Sequence, residues 1–414
     1  MRVVIFEDDH LAGFGPLTLI RHASTLRWGT KRLMDALVEK IPDATDVSLW
    51  GRPELAAVTK EATQKAYNEK AYGSTLFVNA RTKPSEGILL PASWSEPFVA
   101  LSRGELVAAR LDSVALKPGI ITQRNVAGLA RQLRQTAIPS EPLFRGYWDL
   151  VGSNGLAIAD QARHFEETLP VPRAVEVKGP AANVMVDSGA EIEAYVTLDV
   201  RLGPVIVDKG ASVESFSRIM GPCYLGPKVK VYSAQIGGGT SIFDSCKVGG
   251  QVENSIFMPY TNKAHHGYVG DSYVGSFVNL GAGCTFSNLK NTYGNVRLTA
   301  AGEKVDSGML KLGPVIGDMA KLSIGSLVYA GKSVGISSHV SGLVSGDVPS
   351  FTYFDSRQGP GVELLLESAI ETQRRMMERR GLTLGRPEES MIRRAFTLTS
   401  KERKNAGVKR GRLK

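Results

Sequence analysis

Apolar residues follow three different rhythms along the 414-residue chain. In roughly the first third, short apolar runs alternate with helical spacing. Val3–Phe6, Ser74–Ala80, Ile88–Leu90, Pro97–Leu101 and Leu106–Leu111 read as strands. Thr30–Lys40, with Leu33, Ala36 and Leu37 on one face, and Asn125–Gln135, with Val126, Leu129 and Leu133, read as helices. A further helix is predicted over Leu156–Glu166, ahead of a proline-bearing connection, LPVPRAVEV, that marks a boundary.

The second rhythm is a step of six. Between Val175 and Ser350 lie 26 of the 44 glycines. Val186, Ile192 and Leu198 are six apart, as are Val207, Val213 and Ile219, then Ile236, Ile242 and Val248, then Ile324, Ala330 and Ile336. One aliphatic residue per six, with glycine or a small residue often next to it, predicts a β-solenoid of triangular section. The aliphatic residues fill the prism and the small ones make its corners. Lys290–Leu312 breaks the period and is expected to be a loop projecting from one corner. The third rhythm is helical, over Val362–Arg380, where Leu364, Leu365, Ala369 and Met376 would dock the helix on the solenoid end and cover a strand edge. The final stretch, SKERKNAGVKRGRLK, has no core-forming residues and is expected to be disordered. The resulting organisation is an α/β domain over 1–150, a helical linker over 151–180, a hexapeptide-repeat β-helix over 181–350, and a C-terminal helix with a basic tail over 351–414.

Composition, 43% hydrophobic and 22% charged, fits a soluble globular chain. No apolar run is long enough for a membrane span, and MRVVIFEDDH lacks the layout of a signal peptide. Cys223, Cys246 and Cys284 form neither a disulfide framework nor a metal pattern, so no metal site and a cytoplasmic location are expected. The net charge of +9 is uneven: from Arg374 onward 14 basic and 4 acidic residues give +10, leaving −1 for the rest. A nucleic-acid partner would rest on that tail alone, whose one aromatic is Phe396, and is not expected.

The densest candidate chemistry is KAHHGYVGDSYVGSFVNLGAGCTFSN, residues 263–288. It sets His265 on a repetitive strand, with Asn279 and Asn288 following. An imidazole and two amides on a rigid scaffold suit a site that binds a sugar and moves a proton. The amides equally suit ladders that satisfy backbone groups at solenoid corners. His266 reads as a neighbour without a role and Cys284 as a small buried filler.

Hexapeptide repeats of this kind resemble the left-handed β-helix acyltransferases. The His265, Tyr268, Gly270-Asp271, Asn279-x-Gly281-Ala282-Gly283, Asn288 series resembles more narrowly the acetyltransferase half of a bifunctional family. That family is the glucosamine-1-phosphate acetyltransferase/N-acetylglucosamine-1-phosphate uridylyltransferase family. GFGPLTLIRHASTLRWGTKRL and GGQVENSIF…TNKAHHG resemble its shorter, divergent sugar-nucleotidyltransferase-like branch. The resemblance implies a nucleotidyltransferase-like, reduced α/β domain before a left-handed parallel β-helix, and a transferase of nucleotide-sugar biosynthesis. It would acetylate an amino-sugar phosphate from acetyl-CoA. His265 would be the general base, supported by Glu253, while Tyr268, Asn279 and Asn288 bind the sugar phosphate. Acetyl-CoA would lie near Ala282 and Ser326, between subunits of a homotrimer. The family's phosphate-binding Lys is replaced near Asn254 and Ser255, and a Tyr by Leu289; Lys263 or Arg297 would then meet the phosphate. In the first domain Gly13, Gly15, Thr18, Arg21 and Lys31 are the counterparts of a nucleotide cradle. Asn79 stands where the family has an Mg2+-binding Asp, so Mg2+ is implied only if that domain is active. Two alternatives stay open: a sugar-1-phosphate nucleotidylyltransferase whose solenoid serves assembly or regulation, and a non-catalytic sugar-nucleotide-binding trimer.

Overall fold

The computed structural model describes residues 1–84, 96–112, 116–138, 141–165 and 170–411; the expected strand Ile88–Leu90 lies outside them. The first part is a seven-stranded mixed sheet. Its strands are β1 (Arg2–Phe6), β2 (Asp46–Trp50), β3 (Ala66–Tyr67), β4 (Thr75–Asn79), β5 (Phe98–Ser102), β6 (Glu105–Leu111) and β7 (Arg134–Ala137), ordered β3-β2-β1-β4-β6-β5-β7. β1 runs parallel to both β2 and β4, with Phe6 level with Trp50 and Asn79. Its continuous apolar run is buried on both faces, as a central parallel strand requires. Helices α1 (Leu33–Glu39), α2 (Ala56–Thr63), α3 (Gln123–Ala130) and α4 (Tyr147–Gln161) accompany it. The helix expected over Asn125–Gln135 is shorter, because Arg134 and Gln135 pair with Phe98 and Val99 of β5 instead. The expected domain boundary at 150 falls inside α4.

From Glu176 the chain winds into a parallel β-helix with three sides. In the later coils, side one carries Asn262–Lys263, Asn279–Leu280, Lys321–Leu322 and His339–Ser341. Side two carries Tyr268–Gly270, Thr285–Phe286, Leu327–Val328 and Leu343–Val344. Side three carries Ile256–Phe257, Tyr273–Val274, Val315–Ile316 and Ser333–Val334. The aliphatic column facing the prism on side one is Val213, Val231, Val248, then Leu280, Leu322 and Val340. The step of six therefore marks the core, with one phase corrected. Leu322, Val328, Val334 and Val340 point inward, whereas Ile324 is 78% exposed and Ile336 is buried outside the prism.

Side three is apolar on its outside as well. The outward column Ile206, Tyr224, Ser241, Ile256, Tyr273 and Val315 lies beneath Phe14, Leu17, Tyr147, Trp148 and Val151 of the first part. Polar groups lock the same face. Asn154 of α4 donates to the Gly239 carbonyl at 2.8 Å and to Ser241 Oγ at 2.9 Å, and Ser241 Oγ donates to the Gly29 carbonyl at 2.6 Å. The residues that interrupt the period form a hairpin, Arg297–Ala300 against Glu303–Asp306. It does not project freely, because Val296 and Leu298 are buried in the same apolar cluster.

The expectation of a disordered basic tail is overturned. After a short strand, Val362–Glu363, come α5 (Leu366–Glu378), α6 (Arg386–Leu398) and α7 (Ser400–Asn405). Arg403 is 2% exposed, donates to Glu363 at 2.6 Å and lies 4.2 Å from the Phe396 ring centre. α5 buries Ala369, as expected, with Ile370, Gln373 and Met377, whereas Met376 is only half-buried and Leu365, ahead of the helix, is 65% exposed. Together with Met391, Ile392 and Ala395 of α6, this face packs on the first domain and on Met319, Ile336 and Phe351 of the solenoid. The tail's charge misled the expectation: the aliphatic part of an arginine packs on rings while its head is paired. Arg403→Ala is expected to lower the unfolding free energy by about 3 kcal/mol, since it leaves the largely buried Glu363 carboxylate only the looser Arg410, 3.7 Å away; denaturant titration measures this.

Candidate active site at a solenoid corner

The coils around residue 270 are 17 residues long, so residues 17 apart stack: Asn254, Asp271 and Asn288 form one outward column. Asn254 Nδ2 donates to Asp271 Oδ1 at 2.7 Å, and Asn288 Nδ2 donates to Asp271 Oδ2 at 2.6 Å and to the Tyr268 hydroxyl at 2.9 Å. Asn254 and Asp271 adopt φ of +39° and +49°, a region that Asn and Asp tolerate best after glycine. Gly270 makes the phenol's place: a Cβ there would come within 2.2 Å of the Tyr268 oxygen. The Tyr268 hydroxyl also donates to Glu253 Oε2 at 3.3 Å. Burial, with Glu253 and Asp271 close by, raises that phenol well above its ordinary pKa, so it stays protonated.

His265 and His266 occupy the corner between sides one and two, and both are exposed. The turn is held by the bond from Gly283 N–H to the His266 carbonyl, 2.9 Å, and by Gly267 at φ +123°. A Cβ on Gly267 would stand 2.1 Å from the Cys284 carbonyl, so only glycine fits. On side one, Asn262 Nδ2 donates to Asn279 Oδ1 at 3.0 Å, again 17 residues on. Along the coil the histidine corner lies between the Asn262–Asn279 pair on side one and Tyr268 on side two, whose hydroxyl reaches the Asp271–Asn288 column at the far end of that side. An open groove of about 380 Å3 runs along side two, past Gln251, Gly267, Tyr268 and Thr285.

Several expected roles change. Glu253 is bonded to Gln251 and Tyr268, not to His265, so it orients the phenol and not the imidazole. Lys263 is no phosphate ligand. It occupies the inward position between Val248 and Leu280, is 2% exposed, and donates to the carbonyls of Gly249 at 2.6 Å and His265 at 2.8 Å. Burial pulls its ammonium down to about 8. Arg297 is an exposed hairpin residue facing Asp306. Ser326 is buried with its hydroxyl on the Ser323 carbonyl at 2.8 Å, whereas Ala282 stands on the corner itself, one coil beyond the histidines. Sequence reasoning passed over Asn254, Asp271 and Asn262 as site residues; the 17-residue spacing between polar positions was the signal that would have found them.

The nucleotide cradle expected in the first domain is not assembled. A Cβ on Gly13 would lie 2.0 Å from the Arg145 carbonyl, and Gly15 faces Val315 and Ser333, so this loop is packed against α4 and side three. Thr18 is buried, Arg21 pairs with Asp318 of the solenoid at 2.5 Å, and Lys31 pairs with Glu39 at 2.6 Å. At the strand ends, Glu7 is bound by Arg52 and Asp8 by Arg81. Asn79 donates to Asp8 at 2.8 Å and to the Leu106 carbonyl at 2.9 Å. These engaged groups do not fit Mg2+, which needs free oxygen donors.

Residues 3–168 match the family model described as sugar nucleotidyl transferase. Over 119 residues the chain is 30% identical to the bifunctional sugar-1-phosphate nucleotidylyltransferase/acetyltransferase of Sulfurisphaera tokodaii, covering 28% of this chain and 30% of that protein. Over 183 residues it is 34% identical to the bifunctional protein GlmU of Methanococcus vannielii, covering 41% and 42%. Over these stretches the chain is similar to proteins described as bifunctional nucleotidylyltransferase/acetyltransferases. The matched region spans less than half the length of either relative. The solved UDP-N-acetylglucosamine acyltransferase of Francisella novicida is 16% identical, with a TM-score of 0.25, over 55% of this chain and 87% of that one. Among the described residues no helix is long and apolar enough to cross a membrane.

Lys263 makes a pH signature. Its folded pKa, about 8, lies below the unfolded value, so its desolvation penalty is fully present below pH 8 and fades as pH rises toward about 10.4. The stability difference between Lys263→Met and the native chain should therefore favour the variant most near neutrality and least near pH 10, as read by thermal unfolding across that range.

Proposed function

We propose that the solenoid corner acetylates the amine of an amino-sugar phosphate, with acetyl-CoA as donor and His265 as general base. The observation that carries this reading is the exposed His265 imidazole, which bonds to no other side chain among the described residues and whose corner lies between the Asn262–Asn279 pair and Tyr268. An attacking amine must lose a proton as it adds to the thioester carbon, and an uncommitted imidazole accepts it near neutral pH. The thiolate of CoA then leaves as the tetrahedral oxyanion collapses, so no covalent enzyme intermediate is required.

In this reading Tyr268 and Asn288 hold sugar hydroxyls, prearranged by Glu253 and Asp271, and Asn279 contacts the acceptor from side one. The acceptor phosphate meets Lys247, one rung below Asn262, where Lys230, Arg379 and Arg380 add positive charge. Acetyl-CoA runs past Ala282 toward Ile324, Leu327, Tyr329 and Leu343, all exposed along the same corner and side two. A second and third copy of the chain covering that apolar strip would give the homotrimer, in the cytoplasm, where acetyl-CoA is available.

The relatives' printed activities support both halves of the chemistry, and the match over residues 3–168 favours nucleotidyl transfer as a second reading. Pyrophosphate release from a nucleoside triphosphate and a sugar-1-phosphate tests that reading; the engaged Asp8 and Asn79 weigh against it.

With acetyl-CoA and glucosamine-1-phosphate, His265→Ala should slow CoA release by about a hundredfold or more. An unchanged rate would remove His265 as the base. Asn288→Ala should raise KM for the sugar by about tenfold while leaving KM for acetyl-CoA in place, because it takes away one polar contact and loosens Tyr268.

A further inference from the structure

We propose that the junction of the three parts of the chain is a second ligand site, and that it binds a nucleoside phosphate. A cavity of about 390 Å3 lies there, away from the His265 corner, with walls from the first domain, the corner between sides three and one, and helices α5 and α6. This is the size range of small-molecule sites.

Three features define its occupant. First, two acceptors in the lining, Asp318 Oδ2 and Gln373 Oε1, are buried without a hydrogen-bond partner among the described residues. Asp318 is 1% and Gln373 4% exposed, and a buried acceptor left open costs about 1–3 kcal/mol, so a bound molecule must bring N–H or O–H donors. Second, three arginines are in the lining; Arg21 is taken up by Asp318 and Arg32 by both oxygens of Asp35, so Arg27 is the one with donors to offer. Arg27 has only a loose carboxylate neighbour, Asp244 at 3.7 Å, which leaves donors for an anion. Of the two glutamates in the lining, Glu388 is engaged by the Gly385 N–H and Glu61 is exposed. Third, the remaining walls are soft and flat: Met258, Met319, Met377 and Met391, with Tyr260 stacked on Phe277 at 4.8 Å. Thioethers and ring faces favour a planar ring. A donor-bearing ring joined to an anion is a nucleoside phosphate. Since all three parts contribute walls, occupancy would also tie the first domain and the C-terminal helices to the solenoid.

The test uses the full chain and titration calorimetry with ADP, GDP and UDP, each beside its parent nucleoside and inorganic phosphate. At least one diphosphate should bind saturably and raise the melting temperature, and should bind more tightly than its nucleoside. Gln373→Leu, which removes the open acceptor, and Arg27→Gln should each weaken binding about tenfold. Met377→Trp, which fills the cavity, should abolish it. Variants are compared only where circular dichroism matches the native chain, and Arg27→Gln stands in if the other two misfold. No saturable binding by any diphosphate, equal affinity for nucleoside and diphosphate, or affinity unmoved by the variants would overturn the proposal. Binding is read directly, so the result does not depend on acetyl transfer at the His265 corner.

Discussion

The structure depends on one surface: the third side of the solenoid, which is buried on both faces. A parallel β-helix closes its core with its inward residues alone, so its outside is ordinarily free to be polar. Here Ile206, Tyr224, Ile256, Tyr273 and Val315 face outward in register and must be covered. The α4 helix and the loop over residues 12–18 cover them, and that requirement converts a would-be phosphate loop into a packing element. Gly13 serves there because a backbone passes too close for any Cβ. The first domain is thereby committed to the solenoid, and the ion pairs at its strand ends are free to become structural.

Covering one side leaves the other two open for chemistry. The coil length stacks side chains at equal heights, so amides and carboxylates spaced by one coil build ready-made polar columns beside the His265 corner. Below that corner sits an amine where every neighbouring rung has an aliphatic residue. Lys263 gains two carbonyl bonds, one of them to His265, and loses much of its solvation. The backbone that carries the imidazole is thus pinned from inside the prism, while the imidazole itself remains in solvent.

The same two-part logic explains the C-terminus. Its charge density looks like that of a solvated tail, yet Met391, Ile392 and Ala395 lie at helical spacing and Arg403 stacks on Phe396. Those helices close over the junction between the first domain and the solenoid. A cavity remains at that meeting point, lined by all three parts.

By itself the sequence determined the solenoid, because one aliphatic residue in six has no other efficient way to be buried. It also set His265, Tyr268, Asn279 and Asn288 on consecutive coils of a rigid repeat, where the proposed site lies. Tertiary structure alone decided which way each residue faces and what it touches. Lys263 and Ile324 show the difference. A one-dimensional pattern carries periodicity but not phase, so an amine could be read as outward and an isoleucine as inward. The partners of Glu253 and Arg21, Tyr268 and Asp318, lie on another coil and in another domain. No local pattern encodes such partners, because they are brought together by the burial of side three and by the coil length, both of which act on the whole fold.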